Sequence, residues 1–219
     1  MFNRIFASPI LVRVIPLAAF AVLTMLQGRF AEGSQYWIYA LKTLIGAWLL
    51  WVVWPHVKEM RWNFSWEAAM VGIAVFVAWV GLDSHYPTLF SRSSIFNPLS
   101  TYGSGSVMAL VFLGIRTIGS SLVVPPLEEV FYRSFLYRFL IKSEFLEIPL
   151  SRFHWKAFLI VGAIFGIGHY EWLSGILCAF AYQWLVIKKG RLGDAMTAHA
   201  ITNFLLAIWV ITHRAYYFW

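Results

Sequence analysis

Residues 125–139, PPLEEVFYRSFLYRF, place two adjacent glutamates and an arginine within an otherwise apolar chain. Proline suits the first turn of a helix but disrupts its interior, so Pro125 and Pro126 predict the end of one helix and the start of the next. Glu128 and Glu129 are then expected in the first turn of the new helix, where the helix dipole favours negative charge.

The composition around this stretch is that of a polytopic membrane protein. The 219 residues are 60% hydrophobic, 19% aromatic and 12% charged, whereas soluble domains carry about 25% charged residues. The net charge of +7 arises from bases at the ends of apolar segments and not from one dense patch, which favours membrane orientation over nucleic-acid binding. The single cysteine, Cys178, excludes an internal disulfide and a multi-cysteine metal site. We therefore expect the lipid bilayer as a partner and no nucleic acid.

Eight apolar segments follow one another along the chain. A membrane-spanning helix needs about 20 apolar residues, and backbone groups in lipid must form their hydrogen bonds within the segment. We therefore predict an all-α fold, a polytopic transmembrane bundle of about eight helices that forms a single domain over residues 1–219. The long connection 83–105 is typical of a lid or binding loop, or of a plain connector. The predicted spans are 9–28, 36–55, 66–82, 106–124, 127–142, 155–172, 174–188 and 194–212.

The glutamate pair is the first candidate for chemistry, because charged groups inside a membrane are costly and usually mark function. Two neighbouring carboxylates in a dry site cannot both ionise cheaply. Glu129 and Arg133 are four residues apart on one helix face, so we expect them to pair and to leave Glu128 free, with Tyr132 one turn away. A buried charge network that only holds helices together is the alternative.

A histidine in FGIGHYEW, residues 165–172, is the second candidate. His169 lies well inside an apolar segment, which at about 1.5 Å per residue predicts a position near or beyond the middle of the membrane. Phe165 lies one turn before it on the same face. A histidine that only packs and donates a hydrogen bond is the alternative.

A histidine and an asparagine in HAITNF, residues 199–204, form the third candidate. His199 and Asn203 are four residues apart and share a helix face. An imidazole and a carboxamide on one turn can both donate to one small oxygen, which is what an oxyanion site requires. Hydrogen bonding between membrane helices is the alternative. Together, the three candidates predict one buried polar cavity.

These three motifs resemble those of the CPBP family of intramembrane proteases, which includes the type II CAAX prenyl endopeptidases. EEVFYR fits the pattern EExxxR, FGIGH fits FxxxH and HAITN fits HxxxN, in the order of the family. The resemblance covers about residues 106–212, which would carry the catalytic core. The short, tryptophan-rich chain and the context VPPLEEVFYRSFLYRF are similar to the bacterial branch found with exosortase-type protein-sorting systems.

The resemblance implies an eight-helix bundle with a catalytic cavity inside the membrane. Glu128 would activate a water, His169 would position or polarise it, and His199 and Asn203 would hold the oxyanion. Glu129 and Arg133 would support the site. The implied activity is that of a glutamic-type endopeptidase without a cofactor. It would cleave near the C-terminus of a membrane-associated or lipidated protein or peptide, in the bacterial cytoplasmic (inner) membrane.

Three other functions are compatible with the same residues. Glu128, His169 and His199 could form a zinc site with an open position for water, although the helical zinc signature HExxH is absent from the sequence. A catalytically silent peptide-binding or immunity protein could use the same cavity. A transporter could use a glutamate and a histidine to relay protons, although no inverted repeat is visible.

Arg116, Arg13 and Lys42 also lie inside predicted spans. Arg116 is expected to pair with Glu128 or Glu129, or to neutralise a substrate carboxylate, and it is a candidate substrate-binding residue together with Tyr132 and Phe165. Arg13 and Lys42 lie nearer the ends of their spans, and we expect their charged groups to reach the membrane surface.

Overall fold

The computed structural model describes residues 7–88 and 96–219, and eight helices lie wholly within them. Their bounds confirm the all-helical bundle, and no strand occurs in the described residues. The helices are α1 Leu11–Leu26, α2 Ser34–Val53, α3 Trp66–Gly81, α4 Pro98–Tyr102, α5 Val107–Phe139, α6 Trp155–Ile167, α7 Trp172–Lys189 and α8 Gly193–His213.

Three helical stretches are long and apolar enough to cross a membrane, namely Ser34–His56, Val107–Phe139 and Gly193–His213. The helices α1, α3 and α6 are apolar but shorter. Large hydrophobic side chains are exposed along the outside of these helices, including Leu44 and Trp51 on α2. Such a surface is stable in lipid and unfavourable in water, so the chain is an integral membrane protein.

The predicted break at Pro125 and Pro126 is wrong, because α5 runs through both prolines. A π-helical turn, Gly119–Val123, precedes them, and the Val124 N–H donates to the Gly119 carbonyl five residues back. The wider turn lets the helix continue where proline removes the usual hydrogen bonds. Glu128 and Glu129 therefore lie in the interior of a helix of 33 residues, not in a first turn.

Two further boundaries differ from the sequence prediction. The helix expected over 155–172 ends at Ile167, so His169 lies in the turn between α6 and α7. The connection 83–105 contains the short helix α4. The part of this connection from 89 to 95 lies outside the described residues, so its prediction as a lid or binding loop stays a prediction.

Small residues let the helices of the core approach closely. A Cβ atom on Gly72 of α3 would lie 2.6 Å from the Ala198 carbonyl oxygen of α8, and one on Gly166 of α6 would lie 2.6 Å from the Trp172 carbonyl oxygen of α7. Only glycine permits these contacts, in the way that small residues permit close helix packing in membranes. The helices α3, α6, α7 and α8 therefore form one tight group, against which α5 presents its glutamates.

Arg13 and Lys42 are both buried, so their predicted extension to the membrane surface is wrong. Lys42 is 3% exposed, and its ammonium donates to Thr24 Oγ1 at 2.9 Å. Arg13 is also 3% exposed, and its guanidinium binds Glu59 in the connection between α2 and α3. Sequence position could not predict Glu59, because the two residues are 46 positions apart.

Arg13 belongs to a buried cluster, the lock, formed by Arg13, Glu59, Ser134 and Arg138. Glu59 Oε1 accepts hydrogen bonds from Arg13 at 2.8 Å, from Arg138 at 2.9 Å and from the Ser134 hydroxyl. The other donors of the two arginines go to Ser134 and to backbone carbonyls. The lock joins α1, α5 and the connection before α3 at one end of the bundle.

Candidate active site

The predicted contact between Glu129 and Arg133 is present, and Glu129 has a second partner. Glu129 is fully buried, and its Oε2 lies 3.2 Å from Arg133 Nε one turn along α5. Its other oxygen, Oε1, lies 2.9 Å from His199 Nδ1 on α8. Glu129 therefore contacts Arg133 on its own helix and His199 on α8. The spacing within α5 could not predict the second contact.

Glu128 points away from the arginine and towards the other nitrogen of the same histidine. Its Oε2 lies 3.9 Å from His199 Nε2, too far for a direct hydrogen bond. The side chain is 18% exposed, yet Oε2 is buried and has no hydrogen-bond partner among the described residues. A polar pair at this separation can share one water, so Glu128 has the position of a base for an attacking water.

The two contacts of His199 define its orientation. The carboxylate of Glu129 accepts a hydrogen bond from Nδ1–H of His199, and Nε2 is the ring nitrogen that faces Glu128. The ring also packs on Tyr182 of α7, with 5.2 Å between the ring centroids. The hydroxyl of Tyr182 donates to Thr202 one helical turn further along α8. His199 is thus held from three helices.

Arg133 is buried without a complete set of hydrogen-bond acceptors. It is 0% exposed, and none of its three guanidinium nitrogens has a hydrogen bond of good geometry among the described residues. Its guanidinium carbon lies 4.5 Å from the centroid of the Phe165 ring, so a cation–π contact and the carboxylate of Glu129 compensate the charge. This is an electrostatically strained arrangement, because an unpaired buried donor costs about 1–3 kcal/mol.

Phe165 lies at the centre of the candidate site. Its ring centroid is 4.6 Å from that of His169, 6.4 Å from that of His199 and 5.0 Å from that of Tyr132. Phe165 is 1% exposed, whereas Tyr132 is partly buried. Of these two candidate substrate-binding residues, Phe165 is thus inaccessible from the surface, and its ring packs against the two histidines.

His169 lies at the edge of this group of rings. Its Nδ1 lies 2.7 Å from the Phe165 carbonyl oxygen, which fixes the ring and leaves Nε2 free to accept a proton or bind a water. The ring also meets the edge of Trp79 on α3. Within the described residues no hydrogen bond or ion pair joins His169 to Glu128 or His199.

Asn203 is oriented by the π-helical turn of α5. Its Nδ2 donates to the Ser120 carbonyl at 2.8 Å. This carbonyl has no helical donor, because the Val124 N–H is given to Gly119 and the next residue, Pro125, has no N–H. The amide of Asn203 keeps one further N–H, which can donate to an oxyanion. The proline pair thus matters for the site, although not as a helix break.

Arg116 does not pair with either glutamate, so the predicted ion pair is wrong. Its guanidinium lies over Tyr39 at 4.4 Å and near the rings of Phe96 and Trp219. Twelve residues separate it from Glu128, which along a helix is about 18 Å. The positive charge of Arg116 therefore lies among aromatic rings on α2 and near α4, and not beside the two glutamates.

The zinc alternative requires three ligands at one point. Within residues 7–88 and 96–219 no group of three histidine, cysteine, aspartate or glutamate side chains is arranged to hold a metal ion. His199 Nδ1 contacts Glu129, and the ring of Phe165 packs near those of His169 and His199, with 4.6 and 6.4 Å between the centroids. The candidate site thus consists of a glutamate, two histidines and an amide around an aromatic centre.

Comparison with known proteins assigns a family to this part of the chain. Residues 109–205 match the family model described as "Rce1-like: Type II CAAX prenyl endopeptidase Rce1-like". No curated protein and no solved structure gives a significant match. The matched segment contains the site residues of α5, α8 and the turn after α6, and it lies within the range 106–212 expected from the three motifs. Residues 109–205 are therefore similar to the Rce1-like family of type II CAAX prenyl endopeptidases, and this match supports an intramembrane endopeptidase in general.

Proposed function

We propose that this protein is a glutamic-type intramembrane endopeptidase. Its substrate is a membrane-associated or lipidated protein or peptide, which it cleaves near the C-terminus. The observation that carries the proposal is the position of Glu128. It is the carboxylate not paired with Arg133, and it faces His199 Nε2 at 3.9 Å.

In the proposed mechanism, Glu128 takes a proton from a water as the water oxygen attacks the scissile carbonyl carbon. Glu129 carries a compensating role: with Arg133 and His199 it balances the charges around the reacting glutamate. The acid and the base of the reaction are then one residue in two protonation states.

The oxyanion of the tetrahedral intermediate is held by His199 and Asn203 in this proposal. Asn203 offers the amide N–H that is not used by the Ser120 carbonyl, and His199 offers Nε2–H when the ring is protonated beside Glu129. The protonated Glu128 then gives its proton to the leaving nitrogen, the C–N bond breaks, and the carboxylate is regenerated. His169 would orient the water through its free Nε2.

The alternative functions use the same residues in other ways. A zinc protease would need His169 to join Glu128 and His199 at one ion, and within the described residues these side chains are not arranged as such a group. A catalytically silent protein would bind a peptide without hydrolysing it. The branch found with exosortase-type systems and the bacterial cytoplasmic membrane are part of the proposal and rest on the resemblance alone.

The test uses the purified chain in detergent, with its metal content measured. A panel of peptides with apolar C-terminal halves is incubated with the wild type and with Glu128→Gln, with and without a chelator. We expect cleavage that persists with chelator and is lost in Glu128→Gln. Stoichiometric zinc and loss of cleavage with chelator would establish the metalloprotease. Specific peptide binding without cleavage would establish the silent protein.

A further inference from the structure

A groove of about 410 Å³ runs between α5 and α8, beside the candidate site. Its walls are almost entirely apolar, and Ala200, Ile201 and Phe204 on α8 flank the position of Asn203. On α5 the wall is formed by the π-helical turn and the residues just before it, including Ile118 and Ser121. The groove is therefore continuous with the turn that orients Asn203.

Ser121, which lines this wall, carries a donor and an acceptor without partners among the described residues. Its carbonyl has no helical donor, because the residues four and five positions later are Pro125 and Pro126, and the Val124 N–H is given to Gly119. Its hydroxyl is buried and has no hydrogen-bond partner among the described residues. Unpaired polar groups at membrane depth are costly and are tolerated where something else satisfies them.

A peptide unit fits these two groups, because it offers one N–H for the Ser121 carbonyl and one carbonyl for the Ser121 hydroxyl. An acyl chain fits the apolar walls but offers neither group. The apolar walls suit the side chains of a segment that resides in the membrane. The combination of free backbone hydrogen bonds with apolar pockets is the usual basis for binding an extended peptide.

We propose that the groove between α5 and α8 binds an extended, apolar segment of the substrate peptide, with Ser121 as the backbone-binding residue. The inference rests on the proposed function and extends it, because it assigns the surface that delivers the scissile bond to Glu128. The proline pair then has two effects: it leaves the Ser120 carbonyl for Asn203 and the Ser121 carbonyl for substrate.

Photocrosslinking tests the occupant of the groove directly. A benzoylphenylalanine is placed at Ile118 in the groove, and a matched one at Leu177, which lines a second apolar groove between α3 and α7. Each protein is reconstituted in phosphatidylethanolamine–phosphatidylglycerol vesicles with biotinylated peptides of apolar C-terminal half. We expect peptide adducts at Ile118 and mainly lipid adducts at Leu177. Lipid adducts alone at both positions would overturn the inference.

Two serine variants test the role of Ser121. Ser174 is the matched control, because it also lines an apolar groove and is buried, but its hydroxyl lies 3.0 Å from that of Tyr86. With the crosslinker at Ile118, Ser121→Ala should lower the peptide adduct by about fivefold to tenfold, the effect of one net hydrogen bond. Ser174→Ala should leave it unchanged. An equal yield in both variants would remove Ser121 from peptide binding.

The crosslink and the cleavage assay separate this inference from the proposed function. Peptide adducts at Ile118 in a protein that cleaves none of the peptides would support the groove and reject the protease. Cleavage without peptide adducts would support the protease and reject the groove. Where peptides are cleaved, Ser121→Ala should raise KM and leave kcat within about twofold, because the lost bond is made before the chemical step.

Discussion

Two buried charge clusters lie on the same helix, and they are satisfied to very different degrees. In the lock, the single oxygen Glu59 Oε1 accepts from two arginines and a serine, and the remaining arginine donors reach carbonyls. In the candidate site, Arg133 has no hydrogen bond of good geometry, and Glu128 Oε2 has none at all within the described residues.

The difference separates a structural role from a chemical one. A fully hydrogen-bonded cluster fixes helices, and changing it is expected to cost stability. A cluster with free acceptors and donors keeps groups available for a substrate, at the expense of stability. Of Glu59 and Glu128, only Glu128 has a buried carboxylate oxygen without a hydrogen bond among the described residues.

The largest expected effect is on catalysis, in Glu128→Gln. Glutamine cannot take a proton from water, and loss of a general base lowers rates by about 10²–10⁴-fold. We expect this loss of kcat with an unchanged thermal unfolding temperature, because the buried Oε2 of Glu128 makes no hydrogen bond within the described residues. The measurement is cleavage of a selected peptide beside a melting curve in the same detergent. A variant that keeps its activity would place the base elsewhere.

Glu129→Gln should lower both activity and stability, which the motif alone does not predict. From the sequence, Glu129 and Arg133 are expected to pair and to support the site. The structure adds the contact between Glu129 and His199 Nδ1, so the variant also replaces the charged acceptor at the imidazole by a neutral one. Removing one member of a buried pair costs about 3–5 kcal/mol.

The pH profile of Glu129→Gln distinguishes positioning from plain instability. If Glu129 orients His199 for catalysis, the pH dependence of kcat in the folded fraction should change. Arg133→Ala is the comparison, because it removes the charge partner and leaves the contact with His199. A Glu129→Gln variant with less folded protein but the wild-type profile would give Glu129 a structural role alone.

Glu59→Gln should affect stability and leave catalysis unchanged. The amide can keep one acceptor oxygen, but it leaves Arg13 and Arg138 without a counter-charge at one end of the bundle. We expect a loss of about 3 kcal/mol in the free energy of unfolding, as for other broken buried pairs. The kcat per folded molecule should equal that of wild type. A lower kcat would show that the lock and the candidate site are coupled through α5.

The sequence predicted the helical class, the membrane environment and the contact between Glu129 and Arg133, because these follow from apolar content and from spacing within one helix. It could not predict contacts between distant segments, such as Arg13 with Glu59 or Glu129 with His199. The sequence wrongly predicted a helix break at Pro125 and Pro126, because a π-helical turn keeps the helix continuous through prolines that usually end a helix. The predicted ion pair of Arg116 with Glu128 or Glu129 is wrong, because the guanidinium lies over the ring of Tyr39.

Pro125→Ala should exchange activity for stability. The new N–H can donate to the Ser121 or the Ser120 carbonyl, which lie four and five residues back. A regular α-helix can then replace the π-helical turn. We expect a more stable protein with kcat or kcat/KM lowered by about tenfold, since the Ser120 carbonyl no longer holds Asn203 alone. Pro16→Ala, at another proline inside a helix, is the matched control and should leave kinetics unchanged.

The smallest expected effect is the acid dependence of stability, and it belongs to the lock. Burial raises the pKa of Glu59, but the charge of Arg13 and the hydrogen bond from Ser134 outweigh it, so the pKa lies below its ordinary value. A carboxyl with a lowered pKa in the folded protein stabilises it above the pKa of the unfolded chain, about 4.3, and this contribution is lost as pH falls. Melting curves of wild type and Glu59→Gln should therefore differ most near neutral pH and converge below about pH 4. Melting temperatures that stay equally far apart down to acid pH would mean that the packing of Glu59, and not its charge, stabilises the protein. The hydrogen bonds of the lock would then not account for the contrast with the candidate site.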